Sequence, residues 1–383
     1  MKENKNEIIK EINSLVKKIY KNKDIPKFTP GESKISLMQP SYNHLEVNQV
    51  IDSLLSTKIT LNHKSSNKVN QFEKAWSQYI GVKNGIMVNS GSSANLLALF
   101  ALANPTIDRY IKPGDEIITP AVTWHTTISP IIAIGAIPVL IDVNLKDCTI
   151  DTSKIEKEIT SKTKAIMPVH LLGNSANMEE ILFLAKKYNL YVIEDTCEAH
   201  GSEFNNRKCG SLGDVGTFSF FFSHHITTME GGMIMSNNDK ISELCRIMRS
   251  QGVIRNTISK QDLIQEYNNN KKYKDLDPNY LFANIGFNLR PTELNGGFGL
   301  EQIKKMDMIL KHRTKIGKYL TEKLARHSEF FYFPTNATKS SSWFCFPLIL
   351  KPNAPFKRNQ FAKFLNQKMI ETRPIMAGNV KRQ

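Results

Sequence analysis

Several stretches of this chain hold residue types that can do chemistry. Ser90-Gly91-Ser92-Ser93-Ala94-Asn95 follows the apolar run Gly85 to Val88 and opens a helical pattern. At such a turn, main-chain N–H groups and hydroxyls can hold a phosphate at the helix N-terminus. Serine and glycine are also good capping residues, so the loop alone requires no ligand. Glu194-Asp195 closes another strand-like run. A carboxylate there can bind a metal, pair with a cationic ring nitrogen as an aspartate does with a pyridinium, or simply end a strand. Trp124, within Thr119-Pro120-Ala121-Val122-Thr123-Trp124-His125-Thr126-Thr127, offers a flat face for stacking on an aromatic ring. Burial in the core is the ordinary alternative. The run from Gly216 to Gly232 carries Ser219, the pair His224-His225 and then Glu230-Gly231-Gly232. A histidine both takes and gives protons near neutral pH. On an arbitrary apolar strand, a His-His pair is more often structural.

These residues need a frame that gathers them. From Leu45 to Ser250, short β-rich runs alternate with helical patterns: Gly85 to Val88, Glu116 to Thr119, Ile137 to Asp142, Ala165 to Val169, Tyr191 to Asp195, Thr217 to Phe222 and Gly232 to Ser236. That alternation predicts a mainly parallel sheet wrapped by helices, an α/β fold whose site lies at the carboxyl edge of the strands. His170, after one such strand, is placed either lining that edge or packing behind it. Ile8, Ile9, Ile12, Leu15, Val16 and Ile19 predict an N-terminal amphipathic helix packed on its own subunit. Asn256 to Asn279 reads as a long polar surface loop, Ile303 to Leu324 as one long helix, and Trp343 to Leu350 as a strand of a smaller second lobe. The expected division is 1–35 for the helix and linker, 36–280 for a large lobe and 281–383 for a smaller one.

Composition narrows the class. With 40% hydrophobic and 23% charged residues in 383, the chain is an ordinary globular protein large enough for two lobes. The formal charge of +15 is spread through the chain without a zinc finger or an RNA-binding aromatic signature, so no nucleic-acid partner is expected. Five scattered cysteines, Cys148, Cys197, Cys209, Cys245 and Cys345, include no CxxC, which argues against a disulfide framework or a metal site and for the cytoplasm. The first 24 residues lack an apolar h-region and no later stretch is long enough to span a membrane, so no membrane association is expected.

Taken in order, the Ser90 loop, Trp124, Glu194-Asp195, the Ser219 to Gly232 run and Gly286-Phe287-Asn288-Leu289-Arg290-Pro291-Thr292-Glu293-Leu294 resemble the DegT/DnrJ/EryC1/StrS sugar aminotransferases from about Leu45 onward. The resemblance implies the type I fold of pyridoxal-phosphate-dependent transferases, a large mainly parallel sheet domain with a smaller α/β C-terminal domain, and a homodimer with shared active sites. It implies that Ser92, Ser93 and Ser219 hold the cofactor phosphate, that Trp124 stacks on its ring, that Asp195 pairs with the ring nitrogen, and that Asn288 reaches a phosphate across the dimer. Glu198 stands where many relatives carry a glutamine near the ring. Arg255, Arg290 and Arg373 are candidates for the substrate pyrophosphate or a glutamate carboxylate.

One departure changes the expected chemistry. The family's aminotransferases carry a lysine five residues after the serine matching Ser219, and this chain has His224. Lysine attaches the cofactor covalently, whereas imidazole only transfers protons. Ser223-His224-His225 leading to Thr228-Met229-Glu230-Gly231-Gly232 resembles the family's 3-dehydratase branch. That implies pyridoxal and pyridoxamine phosphate held without a covalent bond, glutamate as amino donor, and loss of the C3 oxygen from a nucleotide-linked 4-keto-6-deoxy sugar. Another histidine-bearing branch adds a [2Fe-2S] cluster, but Phe282 to Gly299 contains no cysteine, so no iron-sulfur cluster is expected. Relatives continue for some tens of residues past a segment like Gly378-Asn379, so the smaller lobe is expected to be truncated.

Overall fold

The computed structural model describes residues 4–22, 27–57, 59–61, 67–254, 260–269, 276–277, 280–333, 341–376 and 378–382. In chain order its main elements are α1 (Lys5–Lys21), α2 (His44–Leu55), α3 (Lys68–Ile80), β1 (Asn84–Val88), α4 (Gly91–Leu102), β2 (Glu116–Pro120), α5 (His125–Ala133), β3 (Ile137–Ile141), β4 (Thr163–Ile166), α6 (Met178–Tyr188) and β5 (Tyr191–Asp195). A small hairpin, β6 (Glu203–Phe204) and β7 (Arg207–Lys208), precedes β8 (Val215–Ser219), β9 (Gly232–Ser236) and α7 (Asp239–Arg249). The remainder comprises α8 (Lys260–Asn269), α9 (Glu293–Ile303), α10 (Met306–Leu324), β10 (Phe331–Tyr332), β11 (Ile349–Leu350) and a helix at Arg358–Gln367.

Seven strands form one sheet in the order β1-β9-β8-β5-β4-β2-β3. The pairs β2–β3, β2–β4, β4–β5 and β5–β8 are parallel, while β9 runs antiparallel to both β8 and β1. The seven strand-like runs of the sequence all enter this sheet. All five residues of β5 are buried, as expected of a strand with both faces covered. Side-chain alternation divides the core: Ile86, Val88 and Ile234 pack with α4 and α7 on one face, and Met87, Met233 and Met235 pack with α3 on the other. Helix α3 supplies Val69, Phe72, Trp76 and Ile80 at helical spacing and ends at Gly81, whose φ of 81° suits the left-handed cap.

Two local readings are corrected. The stretch taken for a loop contains α8, where Leu263, Ile264 and Tyr267 lie half-buried on one face of an otherwise polar helix. The long helix forms as expected, as α10 from Met306 to Leu324, with the separate α9 ending just before it at Ile303. Only Ile349–Leu350 of the expected strand is a strand, since Trp343 has φ 53° and is packed against Gly317 of α10. Helix α1 forms as expected and rests on α2, but none of its residues is buried and Ile8, Leu15 and Ile19 are exposed. Among the described residues, no helix is long and apolar enough to cross a membrane.

Candidate active site

A cavity of about 290 Å³ opens where β5 and β8 end and α4 and α5 begin. Of the sequence candidates it brings together Ser92, Trp124, Asp195, Glu198, Ser219, His224 and Arg373. Four lie elsewhere. The Ser93 hydroxyl is taken up by Ser90, whose Oγ donates to Ser93 Oγ at 2.9 Å and caps α4 by accepting from Ser93 N. Asn288 is exposed and accepts from Arg290 Nε at 3.0 Å, so both sit outside this subunit's cavity. Arg255 lies outside the described residues.

Glu194 and Asp195 point to opposite sides of β5, as neighbours on a strand must. Glu194 is fully buried, and its oxygens accept from Gly210, Leu212 and Gly213 N–H and from His170 Nε2. His170 Nδ1 in turn accepts from Ala176 N at 3.0 Å. These two residues therefore tie loops together behind the site. Asp195 faces the cavity, where Oδ2 accepts from Asn95 Nδ2 at 2.9 Å and Thr127 Oγ1 at 2.8 Å, and Oδ1 accepts from Cys197 N. A carboxylate oxygen accepts about two bonds, so Oδ1 keeps a lone pair for a cationic donor. Asn95 is fixed from behind by Thr217 Oγ1 at 2.6 Å. The sequence did not single out Asn95 or Thr127 for this part, because their partner is 100 and 68 residues away.

Close backbone approach builds the opposite end. A Cβ on Gly91 would meet Ser219 Cβ at 2.4 Å, and one on Gly232 would meet Ser90 O at 2.2 Å. Glycine at both positions lets the N-terminus of α4 rest against the ends of β8 and β9. Ser90, Gly91, Ser92 and Ser219 thus line one end, with hydroxyls and the first N–H groups of a twelve-residue helix. Trp124 leaves about half of its surface exposed at the cavity wall.

Glu198 is buried and accepts from Leu172 N at 2.8 Å. Leu172 adopts φ 59°, a left-handed conformation costly for a branched side chain. Burial, then the Asp195 charge, pushes the Glu198 carboxyl up to about 8 against the opposing pull of the Leu172 N–H and Arg373. His224 is half-buried, with its ring centre 5.7 Å from that of His200 and 5.3 Å from that of Phe344. Burial, then the Arg313 guanidinium, pulls its imidazole down to about 3. Its Nδ1 is buried and unpartnered. Its Nε2 is neither buried without a partner nor hydrogen-bonded, so Nε2 is the nitrogen open to the cavity. Phe344 and Met376 close the cavity from the C-terminal part of the chain, positions with no signal in the sequence.

The cavity thus has an anion-binding end, an exposed indole face, a carboxylate with a free lone pair and a neutral imidazole. No lysine is among the described residues that line it. These features fit pyridoxamine or pyridoxal phosphate bound without covalent attachment: Ser92, Ser219 and the α4 N-terminus for the phosphate, Trp124 for the ring and Asp195 for its nitrogen.

Fold and site together define a pyridoxal-phosphate-dependent transferase of the aspartate-aminotransferase type. The chain belongs to the DegT/DnrJ/EryC1/StrS aminotransferase family, whose pattern matches residues 42–383. It is 39% identical over 321 residues to the lipopolysaccharide biosynthesis protein RfbH of Salmonella typhimurium, covering 82% of this chain and 73% of that one. It is 36% identical over 346 residues to the GDP-4-keto-6-deoxy-D-mannose 3-dehydratase of Yersinia pseudotuberculosis, covering 90% and 84%. The structure of the E. coli GDP-4-keto-6-deoxy-D-mannose-3-dehydratase with bound hydrated PLP superimposes with a TM-score of 0.84 at 34% identity, covering 92% of this chain and 88% of that one.

Proposed function

We propose that this protein is a pyridoxamine-phosphate-dependent 3-dehydratase that removes the C3 hydroxyl from a nucleotide-linked 4-keto-6-deoxyhexose, serving dideoxysugar synthesis for lipopolysaccharide O-antigen. The observation that carries the reading is His224 in the family's lysine position, lining the same cavity as Trp124 and Asp195. The cofactor, when bound, supplies an amine for the C4 ketone and a conjugated ring that takes up electrons. Asp195 holds the ring nitrogen in its cationic form, and Trp124 fixes the plane of the ring. Through Nε2, His224 moves the proton at the cofactor's C4′ carbon and delivers one to the departing C3 oxygen. His224 regains basicity when an anion occupies the cavity, because nearby negative charge favours the imidazolium. Glu198, protonated up to about pH 8, adds no second negative charge beside Asp195.

Arg373, exposed at the cavity rim, is suited to a phosphate or carboxylate of the incoming substrate or amino donor. Asn288 and Arg290 do not line their own subunit's cavity and are assigned to the partner's site in a homodimer. The five free cysteines suit the reducing cytoplasm.

The test is incubation of the purified protein with pyridoxal phosphate, glutamate and GDP-4-keto-6-deoxymannose, followed by product mass. Loss of the C3 oxygen supports the dehydratase. A stable 4-amino sugar makes the protein an aminotransferase, and absence of turnover makes it a non-catalytic relative.

A further inference from the structure

Behind the cavity, His200 packs against two other imidazoles, with its ring centre 5.7 Å from that of His224 and 5.3 Å from that of His225. His200 is fully buried among Trp76, Phe218 and Phe220. An aromatic hydrocarbon would suit that setting better, since neither ring nitrogen of His200 has a hydrogen-bond partner and buried polar groups are normally satisfied. Burial, then the neighbouring His224, pulls this imidazole well below its ordinary range, opposed by the main chain of Ser219. The ring is therefore neutral, with one N–H and one lone pair.

His224 presents the complementary need. For Nε2 to serve as the base, the proton of the neutral ring must sit on Nδ1, and Nδ1 is buried with no acceptor. The planes of His200 and His224 differ by only 27°. Two imidazoles joined by one N–H···N bond of about 3 Å have ring centres roughly 5 Å apart, so a small approach closes the bond. His225 is otherwise engaged: its Nε2 donates to the Ser342 carbonyl at 3.0 Å, which leaves its Nδ1 as a second lone pair in the cluster.

We infer that His200 is a positioning residue: one nitrogen accepts the Nδ1–H of His224, the other donates to the Ser219 carbonyl, and the Nε2 lone pair of His224 is thereby directed into the cavity. The inference rests on His224 as the proton carrier of the proposed dehydration. Its test is the tautomer of His224, read from ¹⁵N chemical shifts of histidine-labelled protein without added ligand, in the unmodified chain and in His200→Phe and His200→Gln. The unmodified chain carries the proton on Nδ1. His200→Phe keeps the packing but moves the proton to Nε2, lowering kcat about tenfold or more with KM little changed. His200→Gln, whose amide both accepts and donates, restores the Nδ1–H and most of kcat.

A proton on Nε2 of His224 in the unmodified chain overturns the inference without recourse to any variant. So does His200→Phe retaining the Nδ1–H, which would hand the acceptor role to His225. Failure of the unmodified protein to turn over nucleotide sugar sinks the dehydratase reading, while the tautomer measurement still decides the pairing of His200 with His224.

Discussion

His224 and Glu198 are both uncharged at neutral pH, for the same reason and with opposite consequences for stability. Below about 6.5 the unfolded chain takes up protons at His224 that the folded chain refuses until about pH 3, so folding stability falls as pH drops through that window. His200 and His225, pulled down chiefly by burial, add to the same loss. Glu198 works the other way. Between its ordinary range near 4.5 and about 8, the folded chain holds a proton that the unfolded chain has released, so stability falls as pH rises through that window. Thermal unfolding followed from pH 5 to pH 8 checks both: Glu198→Gln flattens the alkaline decline, by at most about 1.4 kcal/mol per pH unit, and leaves the acid limb in place. For catalysis, His224→Asn lowers turnover by about 10²- to 10⁴-fold while absorbance titration shows cofactor still bound, because the phosphate, ring and ring-nitrogen contacts belong to other residues.

At the scale of elements, the junction of α4 with the ends of β8 and β9 has no room for a side chain. Gly91→Ala places a methyl group 2.4 Å from Ser219 Cβ, whose position the strand pairing of β8 with β9 holds. The helix N-terminus must move away, so the variant loses about 1–3 kcal/mol of stability and also binds cofactor more weakly. Thermal unfolding with and without pyridoxal phosphate separates the two losses. Asn95→Ala tests the second turn of α4. It removes donors to Asp195 and an acceptor for Thr217, and truncation that leaves a buried group unpaired costs about 1–3 kcal/mol. Reduced cofactor affinity measured by absorbance titration is the expected result, since Asp195 loses one of its three anchors.

At the scale of the whole molecule, Asn288 and Arg290 form an exposed pair outside the cavity of their own subunit. In a homodimer with shared sites, sedimentation reports twice the 43.5 kDa subunit mass. His224→Asn and Asn288→Ala are then each inactive alone, yet mixing and reassociating them restores roughly a quarter of the activity, because half of the dimers formed carry one intact site of two. Absence of any recovery on mixing places Asn288 in a role within its own subunit.

Local pattern was enough for the sheet and for the residues with a chemical signature at strand ends, because period-two apolar runs and a carboxylate, indole or imidazole beside them are features of neighbouring positions. Trp124, Asp195 and His224 stood out in that way as candidates, while their roles, that of Ser219 and the histidine in place of lysine were read from the family resemblance. Folding decided what depends on distant partners: Asn95 and Thr127 on Asp195, Leu172 on Glu198, Phe344 and Met376 closing the cavity, and His200 behind His224. It also separated Glu194, bound to loop N–H groups and His170, from Asp195 beside it, which alone of the two faces the site. No single-sequence pattern distinguishes those fates, because burial, charge and hydrogen bonding at each side chain come from segments tens to hundreds of residues away.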